Sequence, residues 1–185
     1  MVYVHLATGF EEVEALTIVD VLRRGGVDTK TVSVTGDKLV MGTHDIPVQA
    51  DLLFEDADYD GCEMIVLPGG MPGAANLDAH KGLTDQIKAF ADAGKKLAAI
   101  CAAPMVLADC GVLEGHDATI YPGMEDKLTG ANPSAANAVI SGNIITGKGP
   151  ALAMEFALTL VEVLKGAEVR KEVSDGLLYS DAFKA

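Results

Sequence analysis

The chain has 185 residues, of which 49% are hydrophobic and 22% charged, and its formal net charge is −13. That balance suits one globular domain over residues 1–185 with a sizeable core, and it excludes a disordered chain. The acidic surface carries no clustered Lys/Arg stripe, which argues against nucleic acid and anionic lipid as partners.

No apolar stretch approaches the ~20 residues that span a bilayer. The N-terminus has no basic segment followed by a signal-type apolar core, so a cytoplasmic protein is expected. Cys62, Cys101 and Cys110 form no C-x-x-C. A disulfide framework or a zinc ribbon is therefore not expected.

In chain order, residues 2–7 read as a short β-branched strand. Residues 11–24 place Val13, Leu16, Ile18, Val19 and Leu22 at helical spacing, stopped by Gly25-Gly26. A strand over 31–34 completes a β-α-β opening, the signature of a parallel sheet. Residues 39–41 and 46–49 flank Gly-Thr-His-Asp and predict a small hairpin. Residues 63–67 form a buried strand ended by Pro68-Gly69-Gly70. A helix follows through Leu83, Ile87 and Phe90 and closes at Gly94.

The next strand covers 96–100, and a helix over 102–108 stops near Gly111. Short strands are predicted at 118–120, 138–140 and 144–146. A long amphipathic helix runs over 150–164 with Pro150 at its first position, and a last short helix covers 167–174. The fold class is α/β: a three-layer sandwich whose mostly parallel sheet carries helices on both faces.

Ligands of such sheets bind at the carboxyl ends of the strands. Three segments sit there: Thr8–Glu14, Pro68–Gly73 and Cys101. In Ala98-Ala99-Ile100-Cys101-Ala102-Ala103-Pro104 a strand gives way to a helix within two residues. Small neighbours permit such a turn, as in a nucleophile elbow. The following helix N-terminus is expected to favour a thiolate and lower its pKa. Cys62 and Cys110 lack this context and are expected to be structural.

Glu11, Glu12 and Glu14 exceed what a helix start requires, and one of them can reach the thiol. The Gly70 and Ala102 N–H groups can serve as oxyanion donors. The histidines His5, His44, His80 and His116 show no metal-ligand spacing, so no metal site is expected. His5 is expected in the core, and His44 at the hairpin tip is the one histidine to follow.

These residues resemble the ThiJ/PfpI superfamily, in its branch around Parkinson disease protein seven and bacterial YajL. The likeness rests on Leu6-Ala7-x-Gly9-x-Glu11-Glu12-x-Glu14, Asp20-Val21-Leu22-Arg23-Arg24-Gly25 and Val66-Leu67-Pro68-Gly69-Gly70. It continues through Ala98–Pro104, Gly149-Pro150 and Glu155-Phe156-Ala157-Leu158. The resemblance implies a flavodoxin-like fold, a homodimer with the active site near its interface, and no cofactor.

It also implies an oxidisable nucleophile at Cys101, a protonated glutamate at Glu14 bonded to it, and a backbone donor at Gly70. Gly69, Glu11, Tyr121 and His44 are the further residues of a possible substrate pocket. The implied activity is glyoxalase- or deglycase-like, on small reactive carbonyls such as methylglyoxal. Oxidative-stress sensing or a chaperone role through a Cys101 sulfinate is the alternative.

Two positions depart from the human protein's relatives: Tyr121-Pro122 replaces a His-Pro pair, and His44 replaces an arginine on the hairpin. Ala102 stands where the superfamily's peptidases carry a histidine, which disfavours peptide hydrolysis.

Overall fold

In the first strand, β1 (Val2–Leu6), alternate side chains enter different cores. Tyr3 faces one with Ile65 and Leu97, and Val2 and Val4 face the other with Met64 and Val66. Period-two alternation in a sheet covered on both sides requires this. A computed structural model describes residues 1–179, so the domain expected over 1–185 is described except for residues 180–185.

The elements follow in order. Helix α1 (Glu12–Arg24) leads to β2 (Thr29–Ser33), a hairpin of β3 (Leu39–Met41) and β4 (Pro47–Gln49), and the short β5 (Leu52–Leu53). Next come β6 (Met64–Leu67), α2 (Gly73–Ala79), α3 (Lys81–Asp92), β7 (Lys96–Ile100) and α4 (Pro104–Asp109). The short β8 (Asp117–Ala118) and β9 (Asn132–Pro133) precede β10 (Ala138–Ser141) and β11 (Ile144–Gly147). The described part ends with α5 (Ala153–Lys165) and α6 (Ala167–Gly176).

The main sheet has the order β10-β11-β7-β6-β1-β2-β5. All its pairings are parallel except β10 with β11. From β1 the chain builds outward through β2, whereas β6, β7 and β11 build the other way. The order therefore reverses between β1 and β6, the crevice where open α/β sheets bind ligands. Helices α1 and α5 bury Ile18, Leu22, Phe156 and Val161 on one face. Helices α2, α3 and α4 bury Leu77, Leu83, Ile87 and Val106 on the other. The expected three-layer architecture is present.

Several local readings change. Val13 and Leu16, expected in the apolar stripe of α1, are exposed, and the buried stripe runs through Ala15, Ile18, Val19 and Leu22. The strand expected over 118–120 is only β8, paired with β9 apart from the main sheet. The helix expected from Pro150 opens with a tight 3-10 turn before α5 begins at Ala153. The helix expected over 102–108 starts only at Pro104.

His5 lies in the core, as expected, fully buried with Nε2 2.7 Å from the Tyr59 hydroxyl. Burial pushes its pKa down to about 3. A depressed imidazole binds its proton in the unfolded chain first, so its contribution to stability is lost as pH falls from 6.5 towards 3. His5→Gln keeps a partner for Tyr59 without the titration. Relative to wild type, the variant should gain about 3 kcal/mol of unfolding free energy between pH 8 and pH 4. Paired denaturant titrations at the two pH values measure the difference.

Candidate active site

Strands β1, β6 and β7 end side by side, and their following segments meet at Cys101. Its backbone sits at φ 62°, a left-handed conformation that costs a non-glycine residue about 1–2 kcal/mol. Two hydrogen bonds hold it there: the Cys101 N–H donates to the Gly147 carbonyl, and the Tyr121 N–H donates to the Cys101 carbonyl, each at 2.9 Å. Hence β11 and the loop after β8 both fix the thiol.

Glu14 reaches the same point from the first turn of α1 and has no exposed surface. Its Oε2 accepts a 2.8 Å bond from the Gly69 N–H, and its Oε1 is buried without a conventional hydrogen-bond partner. A Cβ at Gly69 would lie 2.7 Å from Cys101 Cβ and 2.8 Å from Glu14 Oε2. Only glycine lets thiol and carboxyl converge so closely. Gly70 follows at φ 88°, where a Cβ would collide with the Glu11 nitrogen.

The Glu14 carboxyl and the Gly70 and Ala102 N–H groups lie near enough to the Cys101 sulfur to act on its ionisation. Burial drives the Glu14 carboxyl up to about 7. Burial, then the charge of Glu14, pushes the Cys101 thiol up to about 12 against those backbone donors.

The thiolate-favouring shift expected from a helix N-terminus is thus reversed. Helix α4 has six residues and begins three positions beyond Cys101, so desolvation outweighs its dipole. Titration of the two groups belongs to the pair. Burial also raises Cys62, whose sulfur donates to the Met64 carbonyl, and takes Cys110 up to about 11. Neither has a fully buried carboxyl beside it as Cys101 has Glu14.

Above the sulfur lies a cavity of about 330 Å³ lined by Glu11, Gly70, Met71, Cys101, Ala102, Tyr121, Met124 and Pro150. Of the residues expected to form a pocket, Glu11 and Tyr121 line it, and Gly69 lies beneath it between thiol and carboxyl. Met71 belongs to the Pro68–Gly73 segment at that sheet edge, whereas Met124 and Pro150 carry no signal in the sequence for a place in the wall, because residues of loops and turns have no periodicity.

His44 does not line the cavity. Its Nδ1 lies 2.9 Å from Oε2 of the buried Glu12, and its N–H donates to Glu12 Oε1 at 2.8 Å. Glu12 therefore staples the hairpin tip to α1. Among the described residues, Glu11, Glu12 and His44 form the group whose potential metal-ligand atoms lie within 4.8 Å of one another. The hydrogen bonds of Glu12 to the hairpin account for that clustering.

Comparison with known proteins covers almost the whole chain. Protein DJ-1 homolog A of Arabidopsis thaliana is 41% identical over 180 residues, which span 96% of this chain but 46% of that protein. Thus the chain spans about half the length of this plant relative. The glutathione-independent glyoxalase DJR-1.2 of Caenorhabditis elegans is 34% identical over 162 residues, covering 85% of this chain and 84% of that protein.

The solved structure of oxidized Toxoplasma gondii DJ-1 superposes with a TM-score of 0.92 at 37% identity, covering 96% of this chain and 97% of that one. The model of the DJ-1/PfpI family matches residues 1–163, a span that holds Glu14, Gly69, Gly70 and Cys101. With this sheet order and these similarities, the chain belongs to the DJ-1/PfpI family.

Proposed function

We propose that Cys101 is the nucleophile of a glutathione-independent, glyoxalase- or deglycase-type reaction on small reactive carbonyls, with methylglyoxal converted to lactate. One observation carries this reading. A left-handed cysteine meets a buried carboxyl and two backbone N–H donors at the floor of a cavity. The similarity to a relative named as a glyoxalase supports the same class.

Between about pH 7 and about pH 12 the pair holds one proton. With that proton on sulfur, Glu14 takes it as sulfur attacks the aldehyde carbon and passes it to the carbonyl oxygen, which gives a hemithioacetal and an ionised Glu14. Glu14 then removes the proton from the former aldehyde carbon. Reprotonation of the resulting enediol at the neighbouring carbon leaves a lactoyl thioester. Water cleaves the C–S bond, releasing lactate and restoring the thiol. The Gly70 and Ala102 N–H groups hold the oxyanion; one such donor contributes about 3 kcal/mol.

A homodimer is part of this reading. Val13 and Leu16 on α1 lie exposed, as do Met41 and Ile46 on the hairpin that Glu12 ties to that helix. Exposed apolar side chains grouped on neighbouring elements mark an interaction surface.

Three outcomes test these statements. Cys101→Ser should lower lactate formation from methylglyoxal, without glutathione, by more than about a hundredfold; equal rates would overturn the nucleophile assignment. Wild-type activity should rise with pH through about 7, the value of Glu14, as the carboxyl becomes a base. In Glu14→Gln that inflection should vanish. Light scattering should give a dimer for wild type and a monomer for the double variant Val13→Glu, Leu16→Glu.

A further inference from the structure

A second cavity, of about 310 Å³, adjoins the one above Cys101. The two share Tyr121 and Pro150 in their walls. Tyr121 is therefore a partition between them, and its ring is half exposed. Its position is set from two sides. The Tyr121 N–H is bonded to the Cys101 carbonyl. A Cβ on Gly149 would lie 3.4 Å from the ring, so the ring lies close along bare backbone there.

The second cavity differs from the first in chemistry. Pro122, Ala151 and Leu152 complete an apolar surface with Tyr121 and Pro150. The polar side chains at its edge are already engaged: Lys148 Nζ donates to the Ala135 carbonyl at 2.8 Å, and Asn137 donates to Glu155 at 3.1 Å. The first cavity, by contrast, holds the thiol, the Glu11 carboxylate and the backbone donors. Cavities of about 300–1,000 Å³ take ligands far larger than methylglyoxal.

We propose that the second cavity is the substituent subsite of the Cys101 centre. It takes the aryl or longer alkyl group of an α-oxoaldehyde whose reactive carbonyl stands over the sulfur, and Tyr121 sets how that group passes between the cavities. The inference deepens the carbonyl reading above and rests on it. The occupant is an apolar substituent because Pro122, Pro150, Ala151 and Leu152 make most of the wall apolar. It is part of the same molecule because the two cavities share walls.

Two measurements test it. Phenylglyoxal and methylglyoxal are compared as substrates of wild type and of Ala151→Phe, which fills the second cavity. The ratio of kcat/KM values, phenylglyoxal to methylglyoxal, should fall about tenfold in the variant, the scale on which apolar pockets discriminate. The fall should lie mainly in KM. An unchanged ratio in a folded Ala151→Phe protein would overturn the proposal.

If neither aldehyde yields a hydroxy acid, the carbonyl reading fails, and binding decides the subsite by itself. Acetophenone, which has the aryl group without the aldehyde, should shift the amide resonances of residues 149–152 saturably in wild type. It should not do so in Ala151→Phe. Absence of shifts in wild type, or equal shifts in both proteins, would overturn the subsite.

Discussion

The bond from the Gly69 N–H to the Glu14 carboxyl fixes the rest of the site. It draws the first turn of α1 onto the end of β6, and the missing Cβ of Gly69 lets Cys101 close the triangle from β7. A carboxyl placed there is fully buried, so desolvation raises its pKa towards neutrality. A structural contact thus becomes a proton store beside a sulfur. The same burial keeps the sulfur protonated when it is left to itself. In the proposed reaction, proton transfer within the pair takes the place of a lone thiolate at a helix end.

Sheet order explains why these three segments can meet. Strand β1 lies between β2 and β6, and β7 lies beyond β6. The turns after β1, β6 and β7 therefore open on one edge at the reversal of strand order. Both faces are sealed by apolar helices, so the edge is the place left for polar groups to cluster. The left-handed backbone of Cys101 is sustained by bonds to β11 and to Tyr121, and its strain is spread over a rigid surround.

Glu12 shows how neighbouring carboxylates on one helix turn acquire different work. Glu14 faces inward to β6 and the thiol, Glu12 holds the hairpin tip through His44, and Glu11 faces the cavity. Their positions around the helix axis separate them, since side chains at successive positions point in different directions. The staple also sets the hairpin beside the exposed apolar residues of α1, so a single buried carboxylate organises that surface.

Much of this was legible in the sequence, because the signals were local. Alternation and helical spacing located the main strands and helices, and Gly69-Gly70 and the turn at Cys101 marked the sheet edge. Other features were not local. Nothing in the spacing of Val13 and Leu16 tells whether a core or solvent faces them. Met124 of the cavity wall lies in a loop, where no periodicity speaks. His44 could be placed at a hairpin tip, yet its partner is set by a contact 32 residues away.

The direction of the Cys101 shift was likewise beyond a sequence reading, since it depends on how deeply the sulfur is buried and which charge lies beside it. The sequence by itself determined the fold class and set the cysteine and the glutamate at one edge of the sheet. Only the tertiary structure decided their ionisation and the cavity walls, because desolvation and long-range packing are properties of the folded surround.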